Sequence, residues 1–119
     1  MGGEALGALD TFRDIAKRFG PARGVPQSIS ALGDTTVYTP ASSYRVRLKW
    51  LGLSSPSTNT AGVLVTVKWS DGTLIYLWDM GVPGAFSHSS VREGPVDASL
   101  IVNLSDSQVV RVNLDAEDY

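Results

Sequence analysis

Apolar side chains recur at two rhythms in this chain, and the rhythm changes near position 34. Between residues 4 and 19, Ala5, Ala8, Leu9, Phe12, Ile15, Ala16 and Phe19 return every three or four positions, with Asp10, Arg13, Asp14, Lys17 and Arg18 between them. That spacing predicts an amphipathic helix, because a helical turn of 3.6 residues places these side chains on one face. Gly20-Pro21 should end it, since glycine accepts the left-handed cap and proline cannot extend the hydrogen-bond ladder. Residues 20 to 34 hold two prolines and three glycines with little periodicity, which predicts a linker or extended arm.

From Thr35 the period becomes two, the repeat of a strand with one buried face. Tyr44, Val46, Leu48 and Trp50 alternate with Arg45, Arg47 and Lys49, so the aromatic and aliphatic set is expected inside and the cations outside, where they stay hydrated. Val63, Val65, Val67 and Trp69 alternate in the same way. Asp71-Gly72 then separates two β-prone runs, the signature of a two-residue hairpin with positive φ at both turn positions. Pairing outward from that turn sets Trp69 opposite Leu74, Val67 opposite Tyr76 and Val65 opposite Trp78, one apolar ribbon face expected in the core. "GVPG" after Met80 reads as a turn and "SHSSVREGPVD" as a loop. Ala98, Leu100, Val102 and Leu104, and then Val110, Val112 and Leu114, predict a last hairpin, with "DAEDY" as a solvated acidic end.

About six strands with turn signals between them and no intervening helix predict a mainly β protein. The expected architecture is an antiparallel β-sandwich, jelly-roll-like or Ig-like, preceded by one N-terminal amphipathic helix and an extended arm. The parts are a helix within residues 1–20, a linker over 21–34 and the sandwich over 35–119.

Composition changes this picture little. The chain has 119 residues, of which 43% are hydrophobic and 18% charged, enough apolar surface for one core and too little charge for a disordered chain. Without cysteine, neither disulfides nor thiolate metal sites can hold the fold. No basic leader, no membrane-length apolar run and no Ser or Thr at position 6 are present, so neither secretion, membrane insertion nor myristoylation is expected.

The formal charge of −2 is unevenly spread. Residues 1 to 60 hold seven Lys or Arg against four acids, a balance of +3, and residues 61 to 119 hold three against eight, a balance of −5. An acidic chain overall argues against direct nucleic-acid binding. The asymmetry instead allows copies to orient against one another or against a partner.

Searches for chemistry return little. His88, the single histidine, has Ser87, Ser89 and Ser90 beside it and Asp79 and Asp97 near in sequence, but no strained nucleophile elbow accompanies them, and a surface loop histidine is the expectation. The terminal acids Asp115, Glu117 and Asp118 lack the spacing of a calcium loop, and no phosphate-cradling glycine loop follows a strand. No enzyme, metal or cofactor is expected. Trp50, Trp69, Trp78 and the tyrosines could form a sugar-stacking platform, yet Trp69, Tyr76 and Trp78 share the valine face, and core burial is the expected use at about 2 to 3 kcal/mol each.

The stretches "GDTTVYTPASSYRVRLKWLGLSS", "GVLVTVKWSDGTLIYLW" and "SLIVNLSDSQVVRVNLD" together resemble small β-sandwich virion proteins of tailed bacteriophages, over roughly residues 33 to 115. The resemblance implies a non-enzymatic virion component, a head decoration, cement or minor capsid protein. It would be homo-oligomeric, for instance trimeric, and would be seated on a major capsid or other virion protein. The helix and arm depart from that pattern and suit an attachment element. Leu6, Leu9, Phe12, Ile15 and Phe19 would form its anchoring face, with Arg45, Arg47 and Lys49 as a polar contact. The alternatives are a carbohydrate- or host-receptor-binding module using exposed aromatics and the loops at 54–61 and 82–97, and a tail or connector completion protein. Trp50 or Trp78 on the outside would favour the first of these.

Overall fold

A computed structural model of the protein describes residues 27–119. The helix expected over residues 4–19, its anchoring face of Leu6, Leu9, Phe12, Ile15 and Phe19, and the first part of the arm lie outside the described residues. Nine strands follow in chain order: β1 (Gln27–Ile29), β2 (Gly33–Tyr38), β3 (Val46–Ser55), β4 (Val63–Trp69), β5 (Leu74–Met80), β6 (Gly84–His88), β7 (Arg92–Glu93), β8 (Leu100–Leu104) and β9 (Val110–Asp118). Two of them, β1 and β2, begin inside the stretch expected as a linker. In addition, β6 and β7 occupy the stretch expected as a loop. All four are short or at sheet edges, where little periodicity is needed.

One antiparallel sheet has the order β1-β9-β3-β6, with β7 also beside β3, and the other the order β2-β8-β4-β5. Because most connections cross from one sheet to the other, sequence neighbours are rarely spatial neighbours, and this is the strand order of a jelly roll rather than of an Ig-like sandwich. A single apolar cluster joins the two sheets: Val46, Leu48, Leu51, Leu53, Val110, Val112 and Leu114 from the first meet Val63, Val65, Val67, Leu100, Val102 and Leu104 from the second. Each such side chain withdrawn from water contributes about 1.5 to 3 kcal/mol.

The expected hairpin forms with the expected partners at Val67 to Tyr76 and Val65 to Trp78, but through a different turn. Gly72 N–H donates to Trp69 O at 2.9 Å and Trp69 N–H to Thr73 O at 3.0 Å, closing a three-residue loop. Only Gly72, at φ 96°, is left-handed there. This is the turn followed by a bulge that a third loop residue imposes. Asp71 takes no positive φ; its Oδ1 accepts the Thr73 N–H at 2.9 Å, which holds the carboxyl below its ordinary range. The bulge shifts Leu74 opposite Lys68 rather than Trp69.

The acidic end is not a solvated tail. Strand β9 runs to Asp118, and Ala116, Glu117 and Asp118 are all buried. Asp118 points to the interior end of the sandwich, where Tyr38 Oη donates to its Oδ1 at 2.7 Å and Ala41 N–H to its Oδ2 at 3.2 Å. Burial, and then the bond to that carboxylate, push the Tyr38 phenol well above its ordinary value of 10.0. A raised folded value means that this contribution is complete below pH 10.0 and is lost as pH rises beyond it. Tyr38→Phe should therefore cost about 1.5 to 3 kcal/mol near neutral pH, read by urea unfolding, and the deficit should shrink in strongly alkaline buffer.

Candidate functional site

The outer face of the first sheet carries the cation row, and its form follows from one irregularity. Strand β3 pairs with β9 in register from Val46 to Leu48, skips one residue, and resumes at Trp50. The extra residue is Lys49, a β-bulge that reverses the facing of everything after it. Val46 and Leu48 point inward before it and Leu51 and Leu53 after it, all at most 2% exposed, so Trp50, Gly52 and Ser54 turn outward. The inward position expected for Trp50 is therefore corrected: unbroken alternation would have carried it into the core, and the bulge does not allow that. The sequence holds the signal in its buried set, which changes parity between Leu48 and Leu51. Tyr44 is half-buried and precedes the strand.

The cations form their ion pairs within the chain. Arg47 lies directly across from Glu93 on β7 and from Glu117 on β9, with guanidinium nitrogens 3.2 Å from each carboxylate. The Tyr119 ring packs on the same guanidinium, 3.5 Å from Cζ to centroid. Lys49 Nζ reaches the other oxygen of Glu117 at 3.2 Å. Glu117 is thus a buried carboxylate held between two cations, an arrangement that offsets its desolvation. Arg45 differs: its backbone pairs with Tyr119 in both directions at 2.8 Å, and its side chain is exposed.

Below the bulge the same face becomes a groove of about 320 Å³, lined by Trp50, Gly52 and Ser54 from β3 and Arg111 and Asn113 from β9. The six-membered ring of the indole lies against the Gly52 Cα: a β-carbon there would stand 2.5 Å from Cη2 and 2.9 Å from Cζ2. Only glycine leaves the ring that seat.

A second aromatic group closes the side of the sandwich between β5 and β6. Trp78 and Phe86 pack with centroids 4.8 Å apart, Tyr76 and Phe86 5.6 Å apart, and Tyr76 and His88 4.9 Å apart. Trp78 is 40% exposed, which corrects its expected place in the core: β5 ends its sheet, so side chains on its inner face are only partly covered by β6. Trp69, by contrast, is buried against Gly94. His88 is a strand residue, not a loop residue, and its Nδ1 faces Tyr76 Oη at 2.8 Å. The position at which a catalytic triad would present an acid to that nitrogen holds a phenol instead. Among the described residues, no three His, Cys, Asp or Glu side chains gather as metal ligands.

No family profile matches the sequence, and no curated protein matches it either. Among solved structures, a pentameric capsid protein from metagenomic phage sequences is similar at 17% identity and a TM-score of 0.41, covering 89% of this chain and 66% of that one. The dimeric latent PorU of Porphyromonas gingivalis follows at 14% identity and 0.41, covering 86% of this chain and 12% of its own. A chain of the T13 IBDV viral particle stands at 11% and 0.34, covering 82% and 29%.

Arg47→Ala should lower stability measurably, because it strips two cross-strand partners and leaves Glu117 buried with one cation fewer. Arg45→Ala should change stability by less than about 0.5 kcal/mol. Urea unfolding of the two variants side by side reads the difference.

Proposed function

We propose that this chain is a non-enzymatic structural virion protein, a jelly-roll subunit that decorates or cements a phage particle, or serves it as a minor capsid protein, through contacts between copies. One observation carries the reading: the free edge of the second sheet is apolar. Leu74 is 57% exposed, Leu77 55%, and Trp78 and the neighbouring Leu64 40% each. Strand β5 ends its sheet, so among the described strands none pairs with its outer backbone groups. Proteins that stay monomeric often blunt such edges with lysine or proline, and "LIYLWDM" holds neither; its one charge is Asp79 and its one irregularity the register shift at Ile75.

The occupant that fits is a second β5. An antiparallel pair of identical edge strands satisfies both backbones and stacks the leucines of each copy on the other. Jelly rolls occur in viral capsids, lectins and cupins, and among the described residues no three His, Cys, Asp or Glu gather as the metal ligands of the last would. On a particle, repetition turns a modest contact per copy into firm attachment. The sequence-expected anchor of Phe12 and Phe19 would supply the contact with the shell.

Leu74→Glu combined with Leu77→Glu should convert an oligomer into a monomer in sedimentation velocity while the β circular dichroism is unchanged. A wild-type chain that is monomeric at high concentration would overturn the self-association. Separately, Phe12→Ser with Phe19→Ser should abolish occupancy on particles with the sandwich still folded; undiminished occupancy would refute the anchor.

A further inference from the structure

We propose that the groove on the outer face of the first sheet is a saccharide subsite that takes one pyranose ring against Trp50. The proposal stands on this face alone and does not depend on the virion reading. The groove of about 320 Å³ lies within the size range of small-ligand sites. Its aromatic wall is fixed in place, because the indole seats on the bare Cα of Gly52. A flat ring of that kind accommodates the axial C–H face of a sugar, which is apolar, while the hydroxyl rim points elsewhere.

Two polar groups flank the ring and lack partners. Asn113 Oδ1 is buried and accepts no hydrogen bond within the protein. Arg111 is exposed, and no described carboxylate pairs with it. The first needs a donor and the second an acceptor. An anion supplies only acceptors and an alkyl chain supplies neither, whereas a sugar hydroxyl donates and accepts at once. With its apolar face over the indole, a pyranose sets one hydroxyl on the exposed Arg111, and a second reaches Asn113 Oδ1, which is closed to solvent in the free protein, once that side chain turns toward the groove. The bulge at Lys49 makes this arrangement, since without it Trp50 would face the core.

The test follows the tryptophan indole N–H and asparagine side-chain signals of the full chain in ¹H–¹⁵N spectra while glucose, galactose, mannose, N-acetylglucosamine, lactose and cellobiose are added one at a time. At least one should shift the Trp50 and Asn113 signals with a dissociation constant on the order of 1 mM, as expected for a single shallow subsite. Trp50→Ala and Arg111→Ala should each weaken that binding at least about tenfold, and Trp78→Ala should leave it unchanged. Gly52→Val keeps the indole but unseats it, and should weaken binding to a similar degree; Arg111→Ala, on an exposed side chain, remains informative if a groove variant fails to fold. The proposal is overturned if none of the six sugars moves the Trp50 signal. It is equally overturned if the shifts persist in Trp50→Ala, or if the Trp50 signal moves on dilution without sugar, which would make the groove a seat for a second copy.

Discussion

The pairing of β3 with β9 sets the facing of every functional side chain on the first sheet. Arg47 stands in the middle strand with Glu93 on one side and Glu117 on the other, at 3.2 Å from each, and these two cross-strand pairs define the register. A slip of one residue would carry Leu48 and Leu114 into water and bring the charges into the core. The single permitted irregularity, the bulge at Lys49, is used to change which residues face out. Above it the outer face is an ion-pair network; below it the face is an aromatic groove.

That network also gives part of the charge distribution along the chain a use inside the fold. A basic first half and an acidic second half look like complementary surfaces for two molecules. In the fold, the basic strand β3 lies between the acidic strand β9 and Glu93 of β7, so Arg47 and Lys49 find their counter-charges, Glu93 and Glu117, within one molecule. Lys68 and Asp34 repeat the pattern on the other sheet, 3.2 Å apart, with Asn103 donating to the same carboxylate at 2.7 Å; those bonds hold the Asp34 carboxyl below its ordinary range. Opposite charges far apart in sequence are therefore neighbours in the sheets. The surfaces left for partners are of other kinds: an apolar edge at β5, and a groove with unpaired polar atoms beside Trp50.

These two surfaces lie on different sheets and at different elements. Contact through β5 extends the second sheet sideways, whereas the Trp50 groove sits on the outer face of the first. Assembly through one need not cover the other. Both follow from how the two sheets end and bend: β5 ends its sheet, and the bulge at Lys49 turns Trp50 outward.

The period-two pattern after position 34 was enough to give a mainly β chain, the β4–β5 hairpin, and the pairs Val67 with Tyr76 and Val65 with Trp78, because hydrophobic alternation and turn residues are local properties of the chain. The core positions of β4, β8 and most of β9 were legible for the same reason. Tertiary structure alone decided the jelly-roll order, since strands that cross between sheets leave no trace in local spacing. It decided the facing of Trp50, because a bulge needs a partner strand to bulge against, and the partial exposure of Trp78, because an edge is defined only once the other strands are placed. It also decided that Glu117 and Asp118 of the acidic end are buried: a carboxylate can leave water only where Arg47, Lys49 and Tyr38, all at least 68 positions away in sequence, are brought against it.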